Sequence, residues 1–155
     1  MDDRRIRLLA HNVRSLWNVG SFFRTCDAFA VENIHLTGYT GCPPRKEITK
    51  TAIGADENVP WESAREPLPV LRRLKEEGWK LLALELAPRA KALKDIRAGG
   101  KICLIVGHEL EGIPSDILAL CDEIAMIPMQ GKKESLNVAV AAGIALHHLR
   151  CVAGT

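Results

Sequence analysis

Short apolar runs alternate along the chain with segments in which apolar residues recur at helical spacing. Five runs have the length and composition of buried strands: 6–10, 33–37, 80–86, 102–106 and 123–127. Helical spacing occurs in four segments: 18–30, 67–77, 114–121 and 135–150. This alternation predicts an α/β fold, with a mostly parallel sheet flanked by helices on both faces.

The segment 41–66 is the least regular part of the chain. It begins with GCPPRKEITK, ends with VPWESARE and includes Pro43, Pro44 and Pro60. We expect a long loop here. A long loop in a compact α/β domain is usually functional.

The composition is that of an ordinary globular protein, with 47% hydrophobic and 26% charged residues in a chain of 155. The N-terminus lacks the pattern of a signal or transit peptide. No apolar run approaches the ~18 residues that span a bilayer. We therefore expect a cytoplasmic protein of one domain, residues 1–155, with no membrane partner.

The five cysteines are scattered and never form a C-x-x-C pair. This pattern is typical of reduced thiols and not of a disulfide framework or a zinc site. The zinc deaminase pattern is also missing, because His108 and Glu109 are adjacent and Cys42 is followed by prolines. We expect no metal.

The net charge of +2 is too small to indicate a nucleic-acid partner by itself, but the cations are unevenly placed. Clusters in predicted loops are better candidates for phosphate contact than the cations of a solvated helix face. The clusters are Arg4, Arg5, Arg7 and Arg14 near the start, Arg45, Lys46 and Lys50 in one predicted loop, and Lys132 and Lys133 in another.

The first predicted helix carries the stretch NVGSFFRTCDAF at 18–29. Its apolar residues form one stripe, and Arg24 projects roughly 160° from the middle of that stripe at about 100° per residue. Most helix arginines in such a position contact water. The pattern alone therefore gives Arg24 no role.

Ligands in open α/β sheets bind at the carboxyl ends of the strands, so the segments after 102–106 and 123–127 are informative. GHELEG at 107–112 lacks the middle glycine of the dinucleotide fingerprint. GKKES at 131–135 lacks the preceding glycine of a P-loop. These differences disfavour a nicotinamide enzyme and a nucleoside triphosphatase.

The last predicted helix opens at a capping residue, Ser135 or Asn137. Beyond the cap, VAVAAGIAL is apolar on every side, which predicts that a second surface covers the face that the protein's own core does not. In a chain of this size a second copy is the best candidate for that surface. Ala139, Ala142 and Gly143 are small enough for close approach.

Three stretches together resemble the SpoU (TrmH) branch of the SPOUT RNA methyltransferases, a family whose 2′-O-methylating members share three sequence motifs. They are NVGSFFRT at 18–25, IVGHELEGI at 105–113 and IPMQGKKESLNVAVAAGI at 127–144. Their order and spacing also fit, and the resemblance extends from about residue 6 to 150. One difference is Ala139, which stands where the third motif commonly has a serine; we expect it to affect packing more than chemistry.

The resemblance implies an α/β knot, in which the C-terminal segment threads through a loop to form a deep trefoil knot. The knot loops would form the pocket for S-adenosylmethionine, which leaves as S-adenosylhomocysteine. The implied cofactor-binding residues are Leu84, Gly107, Ile127, Met129, Ser135 and Leu136. Glycine at 107 would let ligand and main chain approach closely.

The resemblance also implies a catalytic set and a homodimer. The catalytic set is Arg24, Asn18, Glu109, Ser135 and Asn137. Arg24 would lie at a dimer interface formed by the first-motif helix and the C-terminal helix, and would reach the methyl-donor site of the other subunit. The chain starts almost at its first strand, so we expect no appended RNA-binding domain and assign RNA docking to Arg14, Arg45, Lys46 and Lys50.

Methyl transfer from a sulfonium to a hydroxyl requires in-line alignment and removal of the hydroxyl proton. A guanidinium stays protonated at neutral pH and is a poor base. We therefore expect Arg24 to stabilise a developing alkoxide, with a phosphate oxygen or water as the proton acceptor. Two alternatives stay open at this point: an RNA-binding module with the knot but no catalysis, and a SPOUT enzyme that methylates a base nitrogen. The sequence leaves open whether the RNA is a tRNA or an rRNA.

Overall fold

The computed structural model describes residues 2–155 and contains one parallel β-sheet. Its strands are β1 (Arg5–His11), β2 (Asn33–Thr37), β3 (Trp61–Ala64), β4 (Lys80–Leu84), β5 (Lys91–Ala92), β6 (Lys101–Val106) and β7 (Glu123–Met126). They are ordered β3-β2-β1-β6-β4-β7-β5, and each neighbouring pair is parallel. The predicted α/β class and parallel sheet are confirmed.

Six α-helices connect and cover the strands. They are α1 (Leu16–Ala28), α2 (Lys46–Ala52), α3 (Ala55–Asn58), α4 (Pro67–Glu76), α5 (Ser115–Leu120) and α6 (Val138–His147). A 3₁₀ turn occupies Leu93–Asp95, and a π-helical turn, His148–Val152, continues α6. No helix within residues 2–155 is long and apolar enough to cross a membrane.

The sheet separates two apolar cores, because successive side chains of a strand point to opposite faces. In β1, Leu8 belongs to the core beneath α1, α2 and α6, whereas Leu9 belongs to the core beneath α4 and α5. Both side chains are fully buried. Burial on both faces explains why the central strands read as continuous apolar runs.

The expectation of a long loop over 41–66 is wrong, because the segment contains α2, α3 and the edge strand β3. Its buried anchors are few: Ile48, Ala52, Ala55 and Val59. Helices of seven and four residues are too short for apolar periodicity to stand out in the sequence. As a consequence, Lys46 and Lys50 lie on a helix and not in a loop.

Helices α1 and α2 pack closely at Gly20. A Cβ added to Gly20 would lie 2.4 Å from the backbone oxygen of Ile48. The hydroxyl of Thr51 donates a hydrogen bond to the backbone oxygen of Trp17 at 2.9 Å. The start of α1 is therefore held against α2.

The C-terminal segment is tied to the N-terminal strand. The Nη1 atom of Arg4 donates to the backbone oxygens of Leu149 and Ala153, at 2.8 and 3.1 Å. The guanidinium of Arg150 donates to the backbone oxygen of Phe29 at 2.9 Å. These bonds fix the end of the chain beneath α1, and its threading as a trefoil knot stays a prediction.

Candidate active site

A cleft of about 610 Å³ opens at the carboxyl ends of β4, β6 and β7. We call it the first cleft. All six residues predicted to bind a cofactor line it: Leu84, Gly107, Ile127, Met129, Ser135 and Leu136. The structure thus brings these positions together from three separate segments, and their role toward a cofactor stays a prediction.

The wall of the first cleft combines apolar side chains with free backbone groups. Leu84, Ile127 and Leu136 contribute apolar surface. Within residues 2–155, the loop 128–136 makes no hydrogen bond to another backbone group. Free amides and carbonyls beside apolar side chains are what a purine base requires for edge recognition and burial. The site therefore fits the adenosyl group that the sequence resemblance implies.

Gly107 is required by the chain itself. A Cβ at Gly107 would lie 2.6 Å from the backbone oxygen of Gly112, because the segment between them folds back on β6. The amide of His108 donates to the Gly112 oxygen at 3.2 Å, and the Gly112 amide donates to the His108 oxygen at 3.0 Å. Gly107 was expected to let a ligand approach the main chain closely. In the structure the backbone of Gly112 already makes such a close approach.

Glu85, which sequence reasoning missed, holds this returning segment. Its Oε2 accepts a hydrogen bond from the amide of Ile113 at 2.7 Å, and its Oε1 accepts one from the amide of Leu86 at 3.0 Å. A Cβ on Gly112 would meet Oε2 at 2.1 Å, and Gly112 has the positive φ of 73° that favours glycine. The only feature of the sequence that could have indicated this role is the position of Glu85, a carboxylate directly after an apolar strand.

A chain of three side chains joins the three motifs. The side-chain Nδ2 of Asn18 donates to Oε2 of Glu109 at 3.1 Å, and the side-chain Nδ2 of Asn137 donates to Oδ1 of Asn18 at 3.2 Å. Asn18 therefore links the loop after β6 to the start of α6. We call this set the Glu109–Asn18–Asn137 chain.

One member of this set, Asn137, also caps a helix. The Oδ1 of Asn137 accepts from the amides of Ala139 and Val140 at 2.9 and 3.2 Å, so it is the N-cap of α6. Ser135, the other predicted cap, lies in the preceding loop, is exposed and lines the first cleft. The helix begins at Val138, three residues later than the sequence pattern predicts.

The Glu109 carboxylate receives the entry to α1. Its Oε1 accepts from the amide of Arg14 and its Oε2 from the amide of Ser15, both at 2.9 Å. Partial burial opposes ionisation of Glu109, but these two amides and the side chain of Asn18 outweigh it and hold the pKa of the carboxyl below its ordinary value. Glu109 is therefore an anion that orients the first motif.

Arg24 lies on the exposed surface of α1 and is not part of the first cleft within one subunit. Its side chain makes no hydrogen bond or ion pair with residues 2–155. The expected stripe of the same helix is buried, as Val19, Phe22 and Phe23 show. The structure thus separates Arg24 from the other predicted catalytic residues.

A groove of about 700 Å³ separates α1 from α6 on the outer surface. Its floor includes Thr25, Ala139 and Gly143. Beside these small residues, Val140 and Ile144 are 51% and 42% exposed. The all-round apolar character of α6 therefore leaves one face uncovered in the single subunit.

The fold and the first cleft define the class: a parallel α/β domain with a cleft in the loops that follow β4, β6 and β7. The SpoU rRNA Methylase family model matches residues 5–147, and the chain belongs to this family. The resemblance predicted from the three motifs is confirmed.

The named relatives are longer than this protein, and the match covers only part of each of them. A tRNA (guanosine(18)-2′-O)-methyltransferase of Aquifex aeolicus is 30% identical over 141 residues, which cover 90% of this chain and 66% of the relative. The 23S rRNA (guanosine(2553)-2′-O)-methyltransferase RlmP of Bacillus subtilis is 33% identical over 144 residues, which cover 92% of this chain and 57% of the relative.

A solved structure agrees with the fold. The AdoMet-bound rRNA methyltransferase from Sinorhizobium meliloti superposes with a TM-score of 0.89 at 27% identity. The match covers 97% of this chain and 58% of that one. The chain therefore spans about two thirds or less of the length of these relatives.

Replacement of Glu109 by glutamine tests the electrostatic role of its carboxylate. Because the pKa of Glu109 is lowered in the folded state, its ionised form stabilises the fold above the ordinary carboxyl pKa, and this contribution is lost as the pH falls through the folded value. We expect Glu109→Gln to unfold at lower urea concentration than wild type at pH 7, with the difference narrowing below about pH 4. Glu111→Gln is the control, because the Glu111 carboxylate is exposed and has no hydrogen-bond donor within residues 2–155. If Glu109→Gln lowered the urea midpoint equally at pH 7 and below about pH 4, the stabilising role of the ionised carboxylate would be contradicted.

Proposed function

We propose that this chain is an S-adenosylmethionine-dependent RNA methyltransferase that modifies the ribose 2′-hydroxyl of a tRNA or rRNA nucleotide in the cytoplasm. The observation that carries the proposal is the Glu109–Asn18–Asn137 chain, which joins all three motifs beside the first cleft. The names of the relatives, which specify 2′-O-methylation of guanosines in tRNA and rRNA, support it.

The first cleft is the proposed cofactor site. Bound there, S-adenosylmethionine supplies a methyl group activated by a sulfonium and leaves as S-adenosylhomocysteine. Leu84, Ile127 and Leu136 would enclose the adenine, and the free backbone groups of 128–136 would bind its polar edge. Ser135, which is exposed and lines the cleft, would contact the incoming ribose.

The proposed enzyme is a homodimer through α1 and α6. The uncovered apolar face at Val140 and Ile144 supports a partner surface, because exposed apolar groups of this kind gain free energy from burial. In such a dimer Arg24 of one subunit would reach the first cleft of the other. That placement accounts for its lack of a partner within its own subunit.

Arg24 would act as a fixed positive charge. A guanidinium donates hydrogen bonds and does not accept a proton at neutral pH, so it would bind the target phosphate and hydroxyl and stabilise a developing alkoxide. The proton would pass to a phosphate oxygen or to water. Asn18, Glu109 and Asn137 would hold the motifs in register, and so would help to align the methyl donor with the hydroxyl.

An RNA-binding module without catalysis is the alternative from another class. The intact hydrogen-bond chain argues against it, because a module that only binds RNA needs no such chain beside a cofactor-sized cleft. A base-methylating enzyme is disfavoured by the relatives, whose names specify ribose methylation.

RNA docking is assigned to four exposed cations: Arg14, Arg45, Lys46 and Lys50. Their side chains form no ion pair within residues 2–155. Arg14 precedes α1, and the other three lie at or on α2, which packs against α1. Unpaired cations on adjoining elements are suited to consecutive phosphates.

The activity is tested with methyl-labelled S-adenosylmethionine and total RNA from a strain that lacks the gene. Nuclease digestion and mass spectrometry should find the label on a 2′-O-methylated nucleoside. Asn137→Ser should lower turnover more than tenfold, because serine keeps the helix cap but cannot reach Asn18. Asn58→Ser is the matched control, since Asn58 is exposed at the end of α3. Label on a base, or none, would contradict the proposal.

The docking surface is tested by the salt dependence of RNA binding. Replacing Arg45, Lys46 and Lys50 together by alanine should weaken binding to all RNAs about equally and reduce the slope of log K against log salt by up to roughly 0.7 for each lost contact with a single strand. The charge-matched control replaces Arg72, Lys94 and Arg97, which are exposed and form no ion pair within residues 2–155. If both triple variants keep the wild-type slope, α2 does not dock RNA.

A further inference from the structure

A second cleft, of about 800 Å³, opens on the same edge of the sheet at the carboxyl ends of β1, β2 and β3. Its lining includes His11, Asn12, Tyr39, Thr40, Arg65 and Asp116. It adjoins the first cleft, because the ring of Tyr39 meets the ring of His108 edge-on, with centroids 6.4 Å apart and an interplanar angle of 88°. None of its lining residues belongs to the three sequence motifs.

The floor of the second cleft is polar and buried. Five polar or charged side chains are buried within residues 2–155, and two of them, His11 and Thr40, line this cleft. A third, Thr37, is hydrogen-bonded to His11. The Oγ1 of Thr40 donates to the backbone oxygen of Ala10 and accepts from the amide of Val13, both at 3.0 Å. Buried polar groups are costly unless they are hydrogen-bonded, and these two bonds satisfy the hydroxyl of Thr40.

His11 leaves one ring nitrogen for a ligand. It is only 7% exposed, and its Nδ1 is paired with Oγ1 of Thr37 at 3.0 Å. Its Nε2 has no hydrogen-bond partner within residues 2–155. Burial lowers the pKa of His11, so the ring is neutral at physiological pH. The floor thus offers an uncharged hydrogen-bonding group.

The rim of the second cleft is held in a strained conformation. Asn12 has a positive φ of 54°, and its Oδ1 accepts from the amide of Tyr39 at 3.1 Å. A Cβ on Gly38 would lie 1.9 Å from that same oxygen. The contact fixes the Asn12 amide with its nitrogen free to donate. It also presents the ring of Tyr39, which is 59% exposed, to solvent.

These groups select the chemistry of the ligand. The lining contains two carboxylates, Glu66 and Asp116, and one cation, Arg65, so it disfavours a phosphate. An uncharged imidazole nitrogen, an amide donor and an exposed aromatic ring suit a planar heterocycle with hydrogen-bonding edges. Unpaired RNA bases are recognised in this way, by stacking on aromatic rings and by hydrogen bonds to their edges.

We propose that the second cleft binds an unpaired nucleobase of the RNA, at or next to the methylated nucleotide, with Tyr39 as the stacking ring and His11 and Asn12 as the groups that read the base edge. The proposal rests on the proposed function and assigns base recognition to a site separate from the first cleft. It makes these three residues determinants of substrate choice.

Direct binding is tested with adenosine, guanosine, cytidine and uridine as probes. The protein is labelled in its histidine rings and saturated with S-adenosylhomocysteine, so that nucleosides are kept out of the first cleft. At least one nucleoside should shift the ring signals of His11, whereas ribose 5-phosphate should not. No shift with any nucleoside, or an equal shift with ribose 5-phosphate, would overturn the proposal.

A kinetic test separates recognition from catalysis. Tyr39→Ala should raise the KM for RNA about tenfold or more, as expected for loss of a base stack, with the affinity for S-adenosylmethionine unchanged. Tyr39→Phe keeps the ring and should restore KM. His11→Gln should change the preference among nucleosides. An unchanged KM in Tyr39→Ala would overturn the proposal.

The two proposals fail separately. If the wild-type protein methylates RNA but its nucleoside binding and KM do not depend on Tyr39, only base recognition by the second cleft is wrong. If it methylates no RNA but binds nucleosides at His11, the second cleft stands and the methyltransferase proposal is wrong.

Discussion

Two side-chain hydrogen bonds, from Asn137 to Asn18 and from Asn18 to Glu109, set the geometry of the whole site. They join residues separated by 119 and 91 positions, and so hold together three segments that the chain visits in turn. The same side chains cap α6 and receive the entry to α1. One small set of amides and a carboxylate therefore fixes both the helices and the mouth of the first cleft.

The parallel sheet explains why two clefts share one edge. Strands that run in the same direction end together, and His11 aligns with Thr37 while Ala10 aligns with Val106. The loops that follow these strands carry nearly all of the site, and their backbone is shaped by close glycine contacts such as that of Gly107 with Gly112. The apolar strands below supply the rigid support.

The sequence predicted the central strands and long helices because each is several residues of uninterrupted apolar character or three turns of regular spacing. It missed α2, α3, β3 and β5, which are too short to show a period. The motif residues were identified through the family resemblance. Glu85 and His11 were not, because their roles arise from contacts with Ile113 and Thr37, which lie 28 and 26 positions away. Pairings of this kind have no periodic signature.

The proposed dimer carries the claim that two copies of this chain build each active site together, and mixing two inactive variants tests that claim. One variant is Arg24→Ala; the other is Leu136→Arg, which fills the first cleft and is first shown to bind no S-adenosylmethionine. Random reassembly of equal amounts makes half of the dimers mixed, and one of the two sites in each mixed dimer is intact, so we expect about a quarter of wild-type activity. A mixture no more active than either variant alone would contradict the claim.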